Sequence, residues 1–254
     1  MRTDVEHLRE FYRSPLGNIA RRRLQARVRA RWPNVTGLRV AGVGYAVPVL
    51  CPFLDDAERV AALMPASQGV HPWPLSQPNI ALQVEEFDWP VAESMIDRLI
   101  LLHALETAEE LRPFLRECWR VLAPGGRILV IVPNRSGLWA LRDRIPYGHG
   151  RPYTGRQLRR LLHENLFEPL DTERALHLPP ALSRAAQRLV TPLEPLAARW
   201  LTRFGGVVMV EAEKSVSGSV PFATRIRRYP PERVRQTSSV VGRARGARPT
   251  GLDR

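Results

Sequence analysis

Four stretches of this chain set ligand-handling side chains directly after apolar runs. Gly42-Val43-Gly44-Tyr45-Ala46 closes the run that starts at Leu38, and Glu85-Glu86-Phe87 follows Ile80–Val84. His103 follows Ile96–Leu102, and Asn134 comes just after Arg127–Val132. Glycines at such a turn let a backbone approach a ligand closely. A histidine, with its pKa near neutrality, can take a proton as a general base. The competing role for His103 is a hydrogen-bonded anchor for the turn at Glu106. Glu85 and Glu86 are either ligand acceptors or a solvated acidic turn, and Phe87 and Trp89 pack either on a ligand or in the core. Beyond Val132 two dense runs, Pro133–Trp139 and Pro146–Thr154, collect Gly, His, Arg, Tyr and Pro. His149, Arg151 and Tyr153 can orient an anionic or aromatic small molecule there, since function favours loops on a rigid scaffold. The alternative is a turn-rich loop whose Pro and Gly only shape the backbone.

The elements that must hold these residues are readable from periodicity. The first 34 residues read as helical with a break at Ser14-Pro15, and Leu24, Val28 and Trp32 recur four apart. Leu38–Val43, Arg59–Leu63, Ile80–Val84 and Ile96–Leu102 read as strands, the last apolar enough to be covered on both faces. Leu111, Phe114, Leu115, Cys118, Trp119 and Leu122 fall on one helical face. Pro124-Gly125-Gly126 is expected to stop that helix before a strand at Arg127–Val132. Thr154 with Gln157 reads as a capping box, and Phe167–Ala175 and Val207–Lys214 are further strands. Strands alternating with helices argue for an α/β layer fold. Ligands in such sheets bind beyond the carboxyl ends of the strands, which directs attention to the turns after Val43, Val84, Leu102 and Val132.

The formal net charge of +13 invites a polyanion-binding reading. The cations are arginines with the single exception of Lys214, and there are 23 prolines, a skew closer to genome-wide codon usage than to a selected surface. Nucleic acid is therefore disfavoured as a partner. Cys51 and Cys118 form neither a metal-ligand spacing nor a disulfide framework, so no metal site is expected. The N-terminus MRTDVEHLRE has no apolar core, and no apolar run nears the roughly 18 residues that span a bilayer. No membrane association and a cytoplasmic location are the expectation. Residues 1–35 are expected to form a helical lid, 36–216 the α/β domain with a helical insertion at 176–204, and 221–254 a disordered basic tail.

The stretch Leu111 to Pro133, LRPFLRECWRVLAPGGRILVIVP, closely resembles the helix–PGG–strand segment of class I methyltransferases, in particular the type 11 branch. The preceding VEEFDWPVAESMIDRLILLHALE resembles that family's acid, its Leu-Pro-like pair and the Asp that opens its fourth strand. The resemblance covers residues 36–214 in order. It implies a doubly wound, seven-stranded, mostly parallel sheet flanked by helices, with Val207–Lys214 as the antiparallel last strand.

It also implies S-adenosyl-L-methionine as cofactor, cradled by Gly42, Gly44, Tyr45 and Ala46, with Glu85, Glu86 and Phe87 on the adenine side. His103, His149 and Tyr153 would then be catalytic groups facing a small-molecule acceptor, with Asn134 and Arg151 binding it. Two departures stand out. Gly42 occupies the place of the usual first-strand acid, with Ala46 and Pro48 at later glycine positions. Ala61–Pro65 offers no carboxylate for the ribose, a charged hydrogen bond of about 1.5–3 kcal/mol. The leading expectation is a methyltransferase for a small-molecule acceptor; the alternative is a non-catalytic, methyltransferase-like module that binds a partner protein or regulates one. The missing acids speak for the alternative and the filled-out loops against it. A nicotinamide dehydrogenase is weaker still, because Val47 stands where the third glycine would be.

Overall fold

The computed structural model describes residues 4–142, 144–177 and 205–215. Residues 178–204 of the expected helical insertion and the expected tail at 221–254 lie outside the described residues. The chain runs α1 (Val5–Arg13), α2 (Pro15–Arg31), β1 (Arg39–Gly44), α3 (Val47–Leu50), β2 (Arg59–Pro65), β3 (Ala81–Val84), β4 (Ile96–Leu102), α4 (Leu111–Val121), β5 (Leu122–Pro133), α5 (Gly155–Glu164), β6 (Phe167–Ala175) and β7 (Val207–Lys214). The seven strands form one sheet in the order β3-β2-β1-β4-β5-β7-β6. β1 to β5 pair in parallel, while β7 is antiparallel to both β5 and β6. This is the doubly wound, mostly parallel architecture expected from the alternation of elements.

Each central strand is apolar throughout because both of its faces are covered. Ile100, Leu102, Leu129 and Ile131 face α1 and α2, packing with Leu8, Leu24, Val28 and Trp32. Leu99, Leu101, Ile128 and Val130 face the opposite layer, where Phe114, Leu115 and Cys118 of α4 join Leu158 and Leu162 of α5. The helix after β1 has only four residues, and the N-terminal α2 covers the face that it leaves open. α2 is tied down at its far end. Arg31 bridges Glu211 and Glu173 at 3.2 Å each and Asp171 at 2.6 Å, and the Trp32 indole donates to Glu211 at 2.9 Å. Ser14 ends α1 and caps α2, its hydroxyl accepting from the Gly17 amide, which explains the break at Ser14-Pro15.

One expectation is corrected. Pro124-Gly125-Gly126 does not separate α4 from the following strand, because β5 already pairs at Leu122. Leu122 lies opposite Ile96 and Arg127 opposite Arg98, so residues 123–126 bulge against the single Asp97. Gly125, at φ +70°, supplies the left-handed backbone the bulge needs. The capping box at Thr154 and Gln157 forms as read from the sequence.

Asp97 pins the lower end of the sheet. It accepts from the Arg39 amide at 2.8 Å and from the Arg39 guanidinium at 3.0 and 3.2 Å, joining β4 to β1. Partial burial alone would push its carboxyl up, but the Arg39 hydrogen bonds outweigh that and hold it below the usual carboxylate range. A depressed folded-state pKa gives stability that is present above the unfolded value and is lost as pH falls through the folded one. Asp97→Asn is expected to cost about 1–3 kcal/mol at neutral pH. In urea titrations the gap from wild type should close below about pH 4.

Candidate functional site

The carboxyl ends of β1 and β4 lie side by side at the switch in strand order, where such sheets bind ligands. Gly44 ends β1 at φ +79°, and a Cβ there would sit 2.4 Å from the Leu102 carbonyl oxygen. The glycine therefore serves the close approach of β1 to β4. Gly42 serves α3 in the same way, its missing Cβ making room for Ala46 and Leu50. Tyr45 turns over this junction, its amide donating to the Leu102 carbonyl at 2.8 Å, and Ala46 is buried at the start of α3.

His103 follows in the left-handed region at φ 54° and is buried. Its Nε2 lies 2.9 Å from the Tyr12 hydroxyl, which is itself 2.6 Å from the Tyr147 hydroxyl. Its Nδ1 lies 3.3 Å from the buried Glu106 carboxylate, at ion-pair distance but without hydrogen-bond geometry. Burial holds the Tyr12 hydroxyl well above the ordinary phenol range, with Tyr147 close by, so both phenols stay protonated. The Tyr12 ring stacks on Tyr45 at 5.7 Å and 20°. Helix α1 thus closes over the strand ends. Gln68, after β2, closes them from the other side: its side-chain amide donates to the His103 carbonyl and to Thr107 Oγ1, and its main-chain carbonyl accepts from the Val5 amide at 2.8 Å.

Beside this closure lies a cleft of about 340 Å³ between α1, α2, α3 and the loop after β2. Tyr12, Tyr45, Val47 and Pro48 line it together with Arg9, Arg13 and Arg21 and with His71 and Trp73. Burial raises the Tyr45 hydroxyl to about 12 despite the opposing pull of Arg9 and Arg13.

The other residues singled out from the sequence gather elsewhere. Glu85 is exposed, Glu86 accepts from the Glu109 amide ahead of α4, and Phe87 is exposed. Trp89 packs edge-on against Phe114 in the core. Asn134 is buried, donating to the Gly205 carbonyl at 2.6 Å and accepting from the Ser136 amide. Tyr153 pairs with Asn134 in an isolated bridge, and its hydroxyl is buried without a hydrogen-bond partner. Arg151 is exposed while its amide donates to the Glu106 carbonyl at 2.8 Å, and the His149 ring lies 6.5 Å from that of His7. Of all these candidates only Tyr45 lines the cleft. Sequence reasoning missed Tyr12, Gln68, His71 and the arginines of the cleft: the spacing of Val5, Leu8, Phe11 and Tyr12 marks a buried helix face but no partner for His103, and Gln68 carries no periodic signal.

Among the described residues no group of three or more His, Cys, Asp or Glu side chains could hold a metal ion. Nor is any described helix long and apolar enough to cross a membrane.

Comparison with known proteins agrees with the architecture. Residues 50–130 match the family model described as a methyltransferase domain. Over 90 residues the chain is 33% identical to a curated Mycolicibacterium smegmatis protein that bears the name of an S-adenosylmethionine-dependent methyltransferase. The match takes in 35% of each chain, so it spans about a third of that relative's length. A SAM-dependent methyltransferase of Thermotoga maritima superposes with a TM-score of 0.57 at 14% identity, covering 83% of this chain and 96% of its own. A chain of the Haloferax volcanii complex between the Trm112 methyltransferase activator and a methyltransferase gives 0.58 at 14% identity, covering 83% of this chain and 98% of its own. At that identity the two structures speak for the fold alone. With the strand order, they give the chain the fold of class I methyltransferases, and residues 50–130 carry the sequence likeness to a methyltransferase domain.

Replacing Tyr12 by Phe keeps the ring on Tyr45 but strips the hydrogen bonds from His103 and Tyr147, which are buried. Leaving such groups unsatisfied is expected to cost about 1–3 kcal/mol, read as a lower urea midpoint with an unchanged slope.

Proposed function

We propose that this chain is an S-adenosyl-L-methionine-dependent methyltransferase acting on a small-molecule acceptor. S-adenosyl-L-methionine is the cofactor of the family, and the domain match supports it here. The observation that carries the reading is the meeting, at the β1/β4 switch point, of the Gly44-Tyr45 turn with a histidine backed by a buried carboxylate. In this reading His103, with Glu106 behind Nδ1, is a general base, and the Tyr12 hydroxyl at Nε2 holds the place of an acceptor hydroxyl. His149, Arg151, Tyr153 and Asn134 border the same end of the sheet and are assigned to the acceptor side.

In the closed arrangement the residues do not fit the cofactor. No carboxylate stands at the end of β1 or β2, the Leu102 carbonyl is taken by the Tyr45 amide, and the His103 carbonyl is taken by Gln68. Glu86 is engaged by the Glu109 amide ahead of α4, and Glu85 is exposed. We therefore assign Gln68 the part of a gate that must release His103 and Thr107 before a ligand reaches the turn. The same observations favour a second reading, a methyltransferase-like module that does not turn over and binds a partner protein.

Calorimetric titration with S-adenosyl-L-methionine and S-adenosylhomocysteine decides between the two. The enzyme reading expects binding that tightens up to about tenfold in Gln68→Ala, since the variant no longer gives up its hydrogen bonds to admit the ligand. Folded wild type and variant that both stay silent to about 1 mM would favour the partner-binding module. Gly44 variants are unsuitable for the test, because a side chain there strikes the Leu102 carbonyl whatever the ligand does.

A further inference from the structure

We infer that the cleft between α1, α2 and the loop after β2 is a binding site for a small aromatic anion. Such a ligand carries a ring with a carboxylate or phosphate and a hydroxyl or N–H donor. The inference does not depend on whether the chain transfers a methyl group, since of the β1 turn the cleft borrows only Tyr45.

Charge is the first ground. Arg9, Arg13 and Arg21 line the cleft, and no aspartate or glutamate does. Arg9 is partly answered by Glu6 at 3.3 Å. Arg13, exposed on the last turn of α1, makes no salt bridge among the described residues. Arg21 gives one nitrogen to Asn18 at 2.9 Å, while its Nε is buried with no partner. A guanidinium presents its donors as a planar fork that suits carboxylate and phosphate alike.

Shape and donor chemistry are the second ground. Tyr45 offers a flat wall, with the His71 ring tilted against it at 5.7 Å and Trp73 lining the same space. His71 is 9% exposed, and its Nδ1 lies 2.9 Å from the Pro72 carbonyl, to which it donates. In the neutral imidazole that leaves Nε2 as an acceptor, and Nε2 is buried without a partner. Buried polar atoms are nearly always satisfied, so two such orphans on one cleft mark groups that a ligand completes. A volume of about 340 Å³ takes a single- or two-ring molecule.

The test uses the full chain without cofactor, titrated calorimetrically with 4-hydroxybenzoate, 4-hydroxyphenyl phosphate and the neutral 4-hydroxybenzamide. At least one charged probe is expected to bind about tenfold or more tighter than the amide, as charge-assisted hydrogen bonds allow. Whichever probe wins identifies the anionic group. Arg13→Gln combined with Arg21→Gln should abolish that preference, and His71→Phe should weaken 4-hydroxybenzoate relative to benzoate, titrated as the control without a hydroxyl. Arg13 is exposed and Arg21 half-exposed, so the variants should keep the wild-type melting temperature. Equal binding of the amide and the charged probes would overturn the proposal. So would silence of both charged probes to about 10 mM, or a preference that survives the double variant.

Discussion

Gly44 lets the end of β1 press against the end of β4 so closely that no side chain could stand between them. Much of the ligand-binding end follows from that contact. The Tyr45 amide reaches the Leu102 carbonyl, His103 is driven into left-handed backbone, and its ring faces α1. A non-glycine residue held at positive φ costs about 1–2 kcal/mol, and it persists only where its surroundings over-determine it. Here Tyr12, Tyr147, Glu106 and Gln68 do so, and in doing so they tie the N-terminal layer to the sheet.

That layer changes what the N-terminal segment is. A helix of four residues after β1 cannot cover the sheet, and α2 does so instead, with Leu24, Val28 and Trp32 in the core and Arg31 held by three carboxylates. α2 is therefore part of the folded core, and only α1 stands over the strand ends as a lid would. Burying Val5, Leu8, Phe11 and Tyr12 stabilises α1 by several kcal/mol.

Much of this was legible in the sequence where a pattern is local. Both-faced apolar runs marked β4 and β5, the spacing from Leu111 to Leu122 marked α4, and Thr154 with Gln157 marked the start of α5. The bulge at 123–126 was not legible, because Pro-Gly-Gly reads as a helix stop until the pairing of Leu122 with Ile96 is known. The partners of His103 were not legible either. Tyr12 lies 91 residues away on the apolar face of α1, where the spacing signals burial but not a partner, and Gln68 lies 35 away in no periodic stretch. The surplus of arginine misled in a subtler way: as bulk composition it suggested codon usage, yet three of those arginines line one cleft and Arg31 is a structural clamp.

Hydrogen exchange on the ligand-free protein tests the closure most directly. The amides of 8–13 in α1 and of Tyr45 are expected to exchange on the slow timescale of β4 and β5, with the Tyr12→Phe variant releasing α1 alone. Exchange of 8–13 in wild type as fast as in a frayed terminus would contradict it, for the strand ends would then be open without any change in Gln68 or Tyr12.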